Sequence, residues 1–399
     1  MMYATRTRNA RPEPFTVHVG IAERLGLAHM DWPLMISAIG LVAFSLLTLG
    51  QATQHDVPGS PNYFLERQSI YALLGIAGML LLTRVDYSRF RELRVGIYTF
   101  LCVSISLVFV FGFAARGSRR AFELPLFSFQ PSELGKLLLV LALAGFVIDG
   151  ARRGSEVQRT VRYLCLGLAP AALVFLQPDL GTSLVFGVAT LAVMYFGGVP
   201  WMHFAVIGGV LTALVALVLV VAPATGFPLL KGYQEERLTS FLDPDEHASG
   251  AGYQQNQSVV AIGSGQGVGR GDNATQTRLD FVPERHTDFI FAVIGERYGF
   301  MGAALVLSLY ALLFWRALRI SMFSKNSYGT LIAGGIAVSL LFQTFVNVGM
   351  NLGIMPITGI PLPLVSYGGS SVLATFLAIG VLQSINVQAH LSQKGRFAW

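Results

Sequence analysis

Charged side chains are scarce in this chain of 399 residues, of which Asp, Glu, Lys and Arg make up 13% while hydrophobic residues make up 53%. Several uninterrupted apolar runs approach the roughly 20 residues that an α-helix needs to cross a bilayer core of about 30 Å. A soluble core would not tolerate so many long runs. The composition therefore disfavours a soluble protein and predicts an all-α, polytopic membrane protein.

Cysteines are few and metal-binding motifs are lacking. Cys102 and Cys165 both fall within predicted membrane spans, which excludes a disulfide framework and a cysteine-based metal site. The chain has no HExxH or Cys/His zinc spacing, and His286 two residues before Asp288 does not make a catalytic triad. The glycine-rich segment 259–271 matches neither the dinucleotide-binding pattern nor the P-loop. Its glycines indicate either flexibility in a loop that closes over substrate or ordinary turns.

The hydropathy of the chain is best fitted by ten membrane spans, with a large outer loop between the seventh and the eighth. The chain then divides into an N-terminal segment 1–31, a membrane domain 32–390 whose large loop is 223–287, and a tail 391–399. The predicted spans cover residues 33–52, 68–84, 94–113, 132–149, 163–177, 180–197, 202–222, 288–314, 328–352 and 366–388.

The distribution of basic residues predicts the orientation. With the N-terminus in the cytoplasm, the short loops that hold most arginines and lysines fall inside, as the positive-inside rule expects, and both termini are cytoplasmic. This distribution accounts for the formal net charge of +6 without nucleic acid as a partner. Arg119 and Arg120 are exceptions because they fall outside. They indicate either an anionic ligand there or ordinary pairing with Glu123 or lipid head groups.

The densest mixture of acids, bases and imidazole lies at 280–296, where Glu284, His286, Thr287 and Asp288 lead directly into an apolar span. Polar groups at the edge of hydrocarbon are costly and usually mark function. Other polar residues open or close spans on the same outer side, and this shared location predicts one extracytoplasmic site. They are Glu133, Lys136, Asp179, Ser366 and Ser370.

Two of these groups also have local interpretations. Glu133 and Lys136 are three residues apart on one helical face, so they form either a self-contained ion pair or a site in which Lys136 reaches Asp288. Asp179 either simply caps the sixth span or caps it and also serves the site. The sequence alone leaves these alternatives open.

One kind of chemistry suits these groups. A carboxylate can act as general base towards a hydroxyl nucleophile, and arginines and a lysine can hold a diphosphate leaving group. Together they predict group transfer from a lipid-linked diphosphate donor at the membrane surface. A nucleotide-sugar donor is disfavoured because no nucleotide-binding fold is indicated.

Several motifs resemble those of the SEDS family, the polytopic peptidoglycan glycosyltransferases of shape, elongation, division and sporulation. In combination these motifs are specific, and the resemblance covers nearly all of the predicted spans. The form of the 283–296 segment resembles the elongation-type members. The matching segments are 117–120, 130–133, 177–182, 254–258, 283–296 and 361–370.

The resemblance implies an enzyme that polymerises lipid II, and the undecaprenyl-diphosphate-linked glycan that grows from it, outside the cytoplasmic (inner) membrane. It also implies a class B penicillin-binding protein as partner transpeptidase, alongside other elongasome proteins. Asp288 matches the family's essential aspartate, and Glu133, Lys136 and Asp179 carry over as site residues. The one cofactor left open is a divalent cation, Mg²⁺ or Mn²⁺, for which no ligands are assigned.

The chain departs from the family pattern at three places. These departures affect the expected details of substrate contact, but they do not affect the assignment to the family. Ala121 follows the paired arginines where a tryptophan is common. Asp272 and Asn273 stand in place of the usual tryptophan of the glycine-rich run. Arg297 stands where a second acid usually follows Glu296.

The resulting hypothesis is that Asp288 removes the proton from the 4-hydroxyl of the acceptor sugar while cationic side chains offset charge on the departing diphosphate. The predicted substrate-binding residues are Arg119, Arg120, Glu133, Lys136, Asp179, Glu284, His286, Thr287, Ser366 and Ser370. The alternative from another class is a lipid II flippase. It explains a polar outer cavity equally well, but it also predicts polar residues at the cytoplasmic side of the spans, and the sequence has few.

Overall fold

A computed structural model describes residues 29–54, 56–115, 118–123, 128–152, 154–218 and 250–396. Within these residues the chain is mostly helical, as its hydropathy predicts. The helices are α1 (Trp32–Ala52), α2 (Tyr63–Thr83), α3 (Arg89–Glu92), α4 (Arg94–Phe111), α5 (Pro131–Gly150), α6 (Glu156–Leu176), α7 (Leu180–Phe196), α8 (Trp201–Ala216), α9 (Ala251–Gly265), α10 (Thr275–Arg278), α11 (Ile290–Met322), α12 (Ser327–Asn351) and α13 (Gly369–Arg396).

A helix stands at each of the predicted spans. Eight of these helices are long and apolar enough to cross a membrane, while α7 and α8 are apolar but shorter. Some helices begin earlier than predicted because polar first turns escape a hydropathy analysis. Helix α6 begins at Glu156 instead of 163, where Ser155 and Gln158 form a reciprocal capping box. Helix α13 continues past the predicted end of its span to Arg396.

A small antiparallel sheet lies between α4 and α5, where the sequence analysis expected a short loop. Its strands are β1 (Phe113–Ala115), β2 (Ser118–Glu123) and β3 (Ser128–Phe129), in that order. Strands this short carry too little alternation to be detected from sequence. Because Arg119 pairs in register with Ala114, the paired arginines lie on a strand and not on a loop.

The described part of the predicted outer loop, 250–287, packs onto the bundle, and residues 223–249 lie outside the described residues. Helix α9 is tied to the end of α12, because Ser258 Oγ donates to Asn351 O over 2.9 Å. The glycine-rich run lies against the start of α11. Gly269 has a φ of 83°, and a Cβ there would stand 2.2 Å from Arg297 O. Its positive φ and its close packing against the backbone of Arg297 therefore explain why residue 269 is a glycine.

The centre of the bundle consists of α5, α12 and α13, which have most of their residues buried, whereas α8 has none buried in its range. Polar side chains inside the bundle bond to backbone carbonyls of neighbouring elements. Ser45 Oγ donates to Val365 O over 2.6 Å, and Tyr328 OH donates to Leu141 O over 3.0 Å. Such pairing is required where no water is available.

The bundle has two polar ends. At the first, which we call the Asp31 end, Asp31 caps α1 and forms an ion pair with Arg316 of α11. Gln383 of α13 bonds both backbone groups of Asp31 at this end. At the second, which we call the Asp288 end, helices α5, α7 and α11 begin. Because α6 runs from the Asp31 end to the Asp288 end between α5 and α7, successive helices alternate in direction, as the predicted order of the spans requires.

We expect the Asp288 end to face outwards. In a chain whose Cys102 and Cys165 are replaced by serine, a cysteine at the exposed Val268 should react with a membrane-impermeant thiol reagent in intact spheroplasts. A cysteine at the exposed Arg152, at the opposite end, should react only after permeabilisation. Labelling of position 152 but not 268 in intact spheroplasts would invert the orientation.

Candidate active site

The backbone that carries Asp288 is fixed by donors from α12 and from the segment that follows it. Three successive carbonyls accept hydrogen bonds. His286 O accepts from Tyr367 N over 2.9 Å and Thr287 O from Ser366 Oγ over 2.6 Å. Asp288 O accepts from Asn347 Nδ2 over 3.0 Å and from Asn351 Nδ2 over 3.1 Å. The half-buried Asp288 side chain therefore starts from a backbone that is held in one position.

Asn351 connects the elements that meet below Asp288. Its side chain is fully buried, and its Oδ1 accepts from Ala292 N of α11 over 3.1 Å. Ser258 Oγ of α9 approaches the same Oδ1 at 3.3 Å. The amide of Asn347, one turn earlier, also donates to Ile360 O over 2.8 Å. These two amides therefore join α9, α11 and the segment 352–368 around the aspartate.

Gly359 lies against the carboxylate of Asp288. Its φ is 74°, and a Cβ at this position would lie 3.8 Å from Asp288 Oδ2. The neighbouring Thr358 O is close to α7, because a Cβ on Gly181 would lie 2.5 Å from it. The segment 358–360 thus lies between the start of α7 and the aspartate. The positive φ of residue 359 favours glycine there, and the close approach of Thr358 O requires a glycine at position 181.

The residues just before Asp288 are held by ion pairs and by a hydrogen-bonded turn. Arg285 is buried and forms ion pairs with Asp56 and with Asp280. Thr287 Oγ1 is 3.2 Å from Glu284 Oε2 and 3.3 Å from Glu284 O, so Glu284 and Thr287 close a turn. Arg285 was not predicted as a site residue, and its ion pair with Asp56, in the loop between α1 and α2, carries no sequence signal.

His286 belongs to an aromatic group beside the aspartate. Its ring centroid lies 4.7 Å from that of Phe64 and 6.0 Å from that of Tyr367. Burial raises the pKa of the Tyr367 phenol above its usual value, and the nearby Tyr71 adds to this effect. The Tyr367 hydroxyl therefore stays protonated over the physiological pH range.

A second group of predicted residues meets where α5 and α7 begin. Asp179 Oδ1 accepts from Thr182 N over 3.0 Å, so Asp179 caps α7, and its Oδ2 accepts from Gln130 Nε2 over 3.0 Å. Gln130 N in turn donates to Ser370 Oγ over 2.9 Å. Asp179 therefore caps its helix and also links two other elements of this end.

The paired arginines of β2 lie beside this group. Arg120 Nε donates to Gln177 O over 3.3 Å, and its Nη2 donates to Pro178 O. The side chain of Arg119 lies outside the described residues. Arg120 therefore bonds the turn that precedes Asp179. Neither Glu123 nor a lipid head group is needed to explain its position.

Glu133 and Lys136 form a buried pair one turn into α5. Their exposed fractions are 4% and 9%. Lys136 Nζ donates to Glu133 Oε2 over 2.8 Å and to Gln343 Oε1 of α12 over 2.7 Å. The contact with Glu133 is the one that the interpretation as a local ion pair predicts. The contact with Gln343 was not predicted from the sequence. All three side chains line a cavity of about 30 Å³, which is enough for one water molecule.

These contacts bring the predicted residues to one end of the bundle. They run from Arg120 through the 177–179 turn and Gln130 to Ser370, and from Gly181 through 358–360 to Asp288. Within the described residues no three His, Cys, Asp or Glu side chains converge in a way that could hold a metal ion. The arrangement thus offers the half-buried carboxylate of Asp288 on a backbone fixed by amides and a hydroxyl, whereas Lys136 contacts Glu133 and Gln343.

The fold and the site define a class of protein, namely a polytopic helical membrane protein with a fixed carboxylate at one end of the bundle. The family model for cell cycle proteins of the FtsW, RodA and SpoVE type matches residues 29–391. The chain belongs to this family, which confirms the family predicted from the motifs, and it is a multi-pass membrane protein.

Similar proteins have names that describe one activity. Peptidoglycan glycosyltransferase MrdB of Escherichia coli strain K12 is 35% identical over 369 residues, which cover 92% of this chain and 96% of that protein. Probable peptidoglycan glycosyltransferase FtsW of Thioalkalivibrio sulfidiphilus is 34% identical over 380 residues, with 93% and 91% covered.

Solved structures agree with this relationship. A chain from work on the coordination of polymerization and crosslinking by a peptidoglycan synthase complex has a TM-score of 0.75 and 34% identity, covering 90% of this chain and 98% of that one. The rod shape determining protein RodA of Thermus thermophilus has a TM-score of 0.65 and 31% identity, covering 90% and 96%.

Two of the departures from the family pattern contact each other. Arg297 forms an ion pair with Asp272, and its Nε donates to Gln51 Oε1 over 2.6 Å. Tyr298 OH donates to the same Gln51 Oε1 over 2.9 Å. The arginine and the aspartate therefore compensate each other's charge and tie the glycine-rich run to α1 and α11.

Replacement of Asn351 by alanine should lower the free energy of unfolding by about 2–3 kcal/mol, because several buried partners lose their hydrogen bonds together. Thermal unfolding of the purified protein in detergent measures this change. The matched control is Asn273→Ala, at an exposed position, which should unfold like the wild type. An Asn351→Ala variant with a wild-type midpoint would show that these bonds do not support the site.

The Glu133–Lys136 pair can be tested by comparing a single with a double variant. Lys136→Met alone should destabilise by about 3–5 kcal/mol because it leaves a buried carboxylate unpaired, whereas Glu133→Gln with Lys136→Met should be close to wild type in stability. We expect both the single and the double variant to be inactive in glycan strand synthesis, because both lack Lys136. Recovery of turnover in the double variant would mean that the pair is only structural.

Proposed function

We infer that this protein is a peptidoglycan glycosyltransferase that polymerises lipid II into glycan strands during cell elongation. The observation that carries the proposal is the fixed position of Asp288 at the end of the bundle, where residues from several helices converge. The similar proteins named MrdB and FtsW support the reaction class. Among the similar structures, RodA supports the assignment to cell shape.

We propose Asp288 as the general base. Its carboxylate takes the proton from the 4-hydroxyl of the acceptor sugar as that oxygen attacks the anomeric carbon of the donor. The bond to the lipid diphosphate breaks, the diphosphate leaves with the electron pair, and the anomeric configuration is inverted. A general base must be held within hydrogen-bonding reach of the hydroxyl, and the four bonds to the carbonyls of residues 286–288 serve that purpose.

The departing diphosphate needs positive charge near it. Arg119, Arg120 and Lys136 are the proposed sources. Because Lys136 is already paired with Glu133 and Gln343, its proposed contribution includes positioning the start of α5 through which Gln130 reaches Asp179. A divalent cation bound with the substrate would add positive charge at the diphosphate. No protein ligands are assigned to it, since no three acidic, His or Cys side chains converge within the described residues.

We propose that the site lies on the extracytoplasmic side, with both termini in the cytoplasm. The proposed partner is a class B penicillin-binding protein, which would crosslink the strands made here, alongside other elongasome proteins. The similarity to a chain of a peptidoglycan synthase complex supports such a partner. Glu284, His286, Thr287, Ser366 and Ser370 are proposed to bind substrate around Asp288.

The flippase alternative is not favoured. It requires no base, and it gives Asp288 no chemical role. The similar proteins, by their names, transfer glycosyl groups. A flippase would move labelled lipid II across a vesicle bilayer without making polymer, so the two functions are distinguishable in one preparation.

Asp288→Asn should reduce strand synthesis at least about 100-fold, since general-base catalysis typically contributes 10²–10⁴-fold, while thermal stability stays near that of the wild type. The assay uses purified protein, its transpeptidase partner and labelled lipid II, with glycan length read on a gel. The control Asp272→Asn makes the same isosteric change on an exposed side chain and should remain active. Polymerisation by Asp288→Asn at a rate close to the wild type would remove this residue from the mechanism.

A further inference from the structure

A basic cavity of about 620 Å³ opens at the Asp31 end, between α3, α4, α5 and α6. The arginines that line it are Arg91, Arg94, Arg152 and Arg162. Asp149 is the one acid among its described lining residues, and it pairs with both Arg91 and Arg94. Since one carboxylate offsets one of the four positive charges, the lining keeps a net charge of +3.

Two of the four arginines, Arg91 and Arg94, are held at the cavity by Asp149. Arg94 Nη2 lies 2.9 Å from Asp149 Oδ2, and its guanidinium carbon lies 6.0 Å from the centroid of the Phe146 ring. Arg94 Nε is buried and has no hydrogen-bond acceptor within the described residues. A buried N–H without a partner is unfavourable, so this guanidinium has hydrogen-bonding capacity that the described residues leave unused.

This cavity is separate from the proposed active site. Helix α5 joins them, with Glu133 and Lys136 near its first residue and Asp149 near its last. Its 20 residues span about 30 Å at 1.5 Å per residue. The two sites therefore lie at opposite faces of the membrane.

The surroundings of the cavity favour a lipid over a soluble anion. Val95 lines the cavity and is 58% exposed, and Leu93 and Val161 beside it are 59% and 52% exposed. Exposed apolar side chains at the end of membrane helices contact acyl chains, whereas a soluble phosphate would gain nothing from them. Basic pockets between membrane helices on the cytoplasmic side are suited to anionic lipid head groups.

We propose that this cavity binds the phosphate head group of an anionic phospholipid. Guanidinium groups form paired hydrogen bonds with phosphate oxygens. A phospholipid with a cationic head group is disfavoured, because its cation would lie among arginines that already carry an excess of positive charge. With the proposed orientation, the lipid belongs to the cytoplasmic leaflet.

The test uses the full chain purified in a neutral detergent, with phosphatidylglycerol or phosphatidylcholine added and bound lipid counted by native mass spectrometry. We expect the wild type to retain phosphatidylglycerol in preference to phosphatidylcholine. Arg152→Gln with Arg162→Gln should weaken phosphatidylglycerol binding by roughly thirtyfold, about fivefold for each arginine. Both side chains are exposed, so the variant should fold, and an unchanged thermal midpoint without lipid verifies this.

The matched control is Arg84→Gln with Arg89→Gln. These arginines are exposed on the same face but do not line the cavity, so binding should stay within about twofold of the wild type. Equal loss in the control would mean that general surface charge, not this cavity, attracts the lipid. Equal retention of phosphatidylcholine, or displacement of the lipid by glycerol 3-phosphate at the same concentration, would also overturn the proposal.

Discussion

The geometry of the site depends on hydrogen bonds to three consecutive backbone carbonyls, those of residues 286–288. The donors are a backbone amide, a hydroxyl and two side-chain amides, from Tyr367, Ser366, Asn347 and Asn351. Inside a membrane protein such groups must be paired because water is excluded. All four donors are neutral, so they fix the loop without placing a full positive charge next to the carboxylate of Asp288. Residues between 347 and 367 thereby position Asp288, which lies two residues before the start of α11.

The same requirement explains why charged residues near the site occur in sets. Arg285 lies between Asp56 and Asp280. Arg297 contacts Asp272, so a basic residue at a position where the family usually has an acid is matched by an acid in the glycine-rich run. The first set joins two loops, and the second ties the glycine-rich run to α11. The departures at Arg297 and Asp272 are therefore accounted for by the ion pair that these two residues form with each other.

Hydropathy and charge were enough to predict the positions of the membrane helices, because burial in a bilayer acts on whole segments. Asp288 could be singled out as a candidate from the sequence because ionisable groups beside hydrocarbon are rare, and its role in catalysis stays a prediction. Contacts between distant segments were not predictable. Gln343 bonds Lys136 from another helix, and β1–β3 are too short for a detectable pattern. Gly359 is one of many glycines in the sequence, and only its place against the carboxylate distinguishes it.

The buried Glu133–Lys136 pair is better explained by position than by stability. The free energy lost when two charges leave water can exceed the free energy gained from their attraction. Apolar replacements of such pairs are therefore often neutral or stabilising. Stability alone therefore does not account for it. The pair lies one turn inside α5, just below Gln130, which contacts Asp179 and, through its backbone, Ser370. A charged group locked to α12 through Gln343 fixes the rotation of α5 about its axis. That rotation determines where Gln130 meets Asp179, and the pair thus connects the bundle core to the shape of the site.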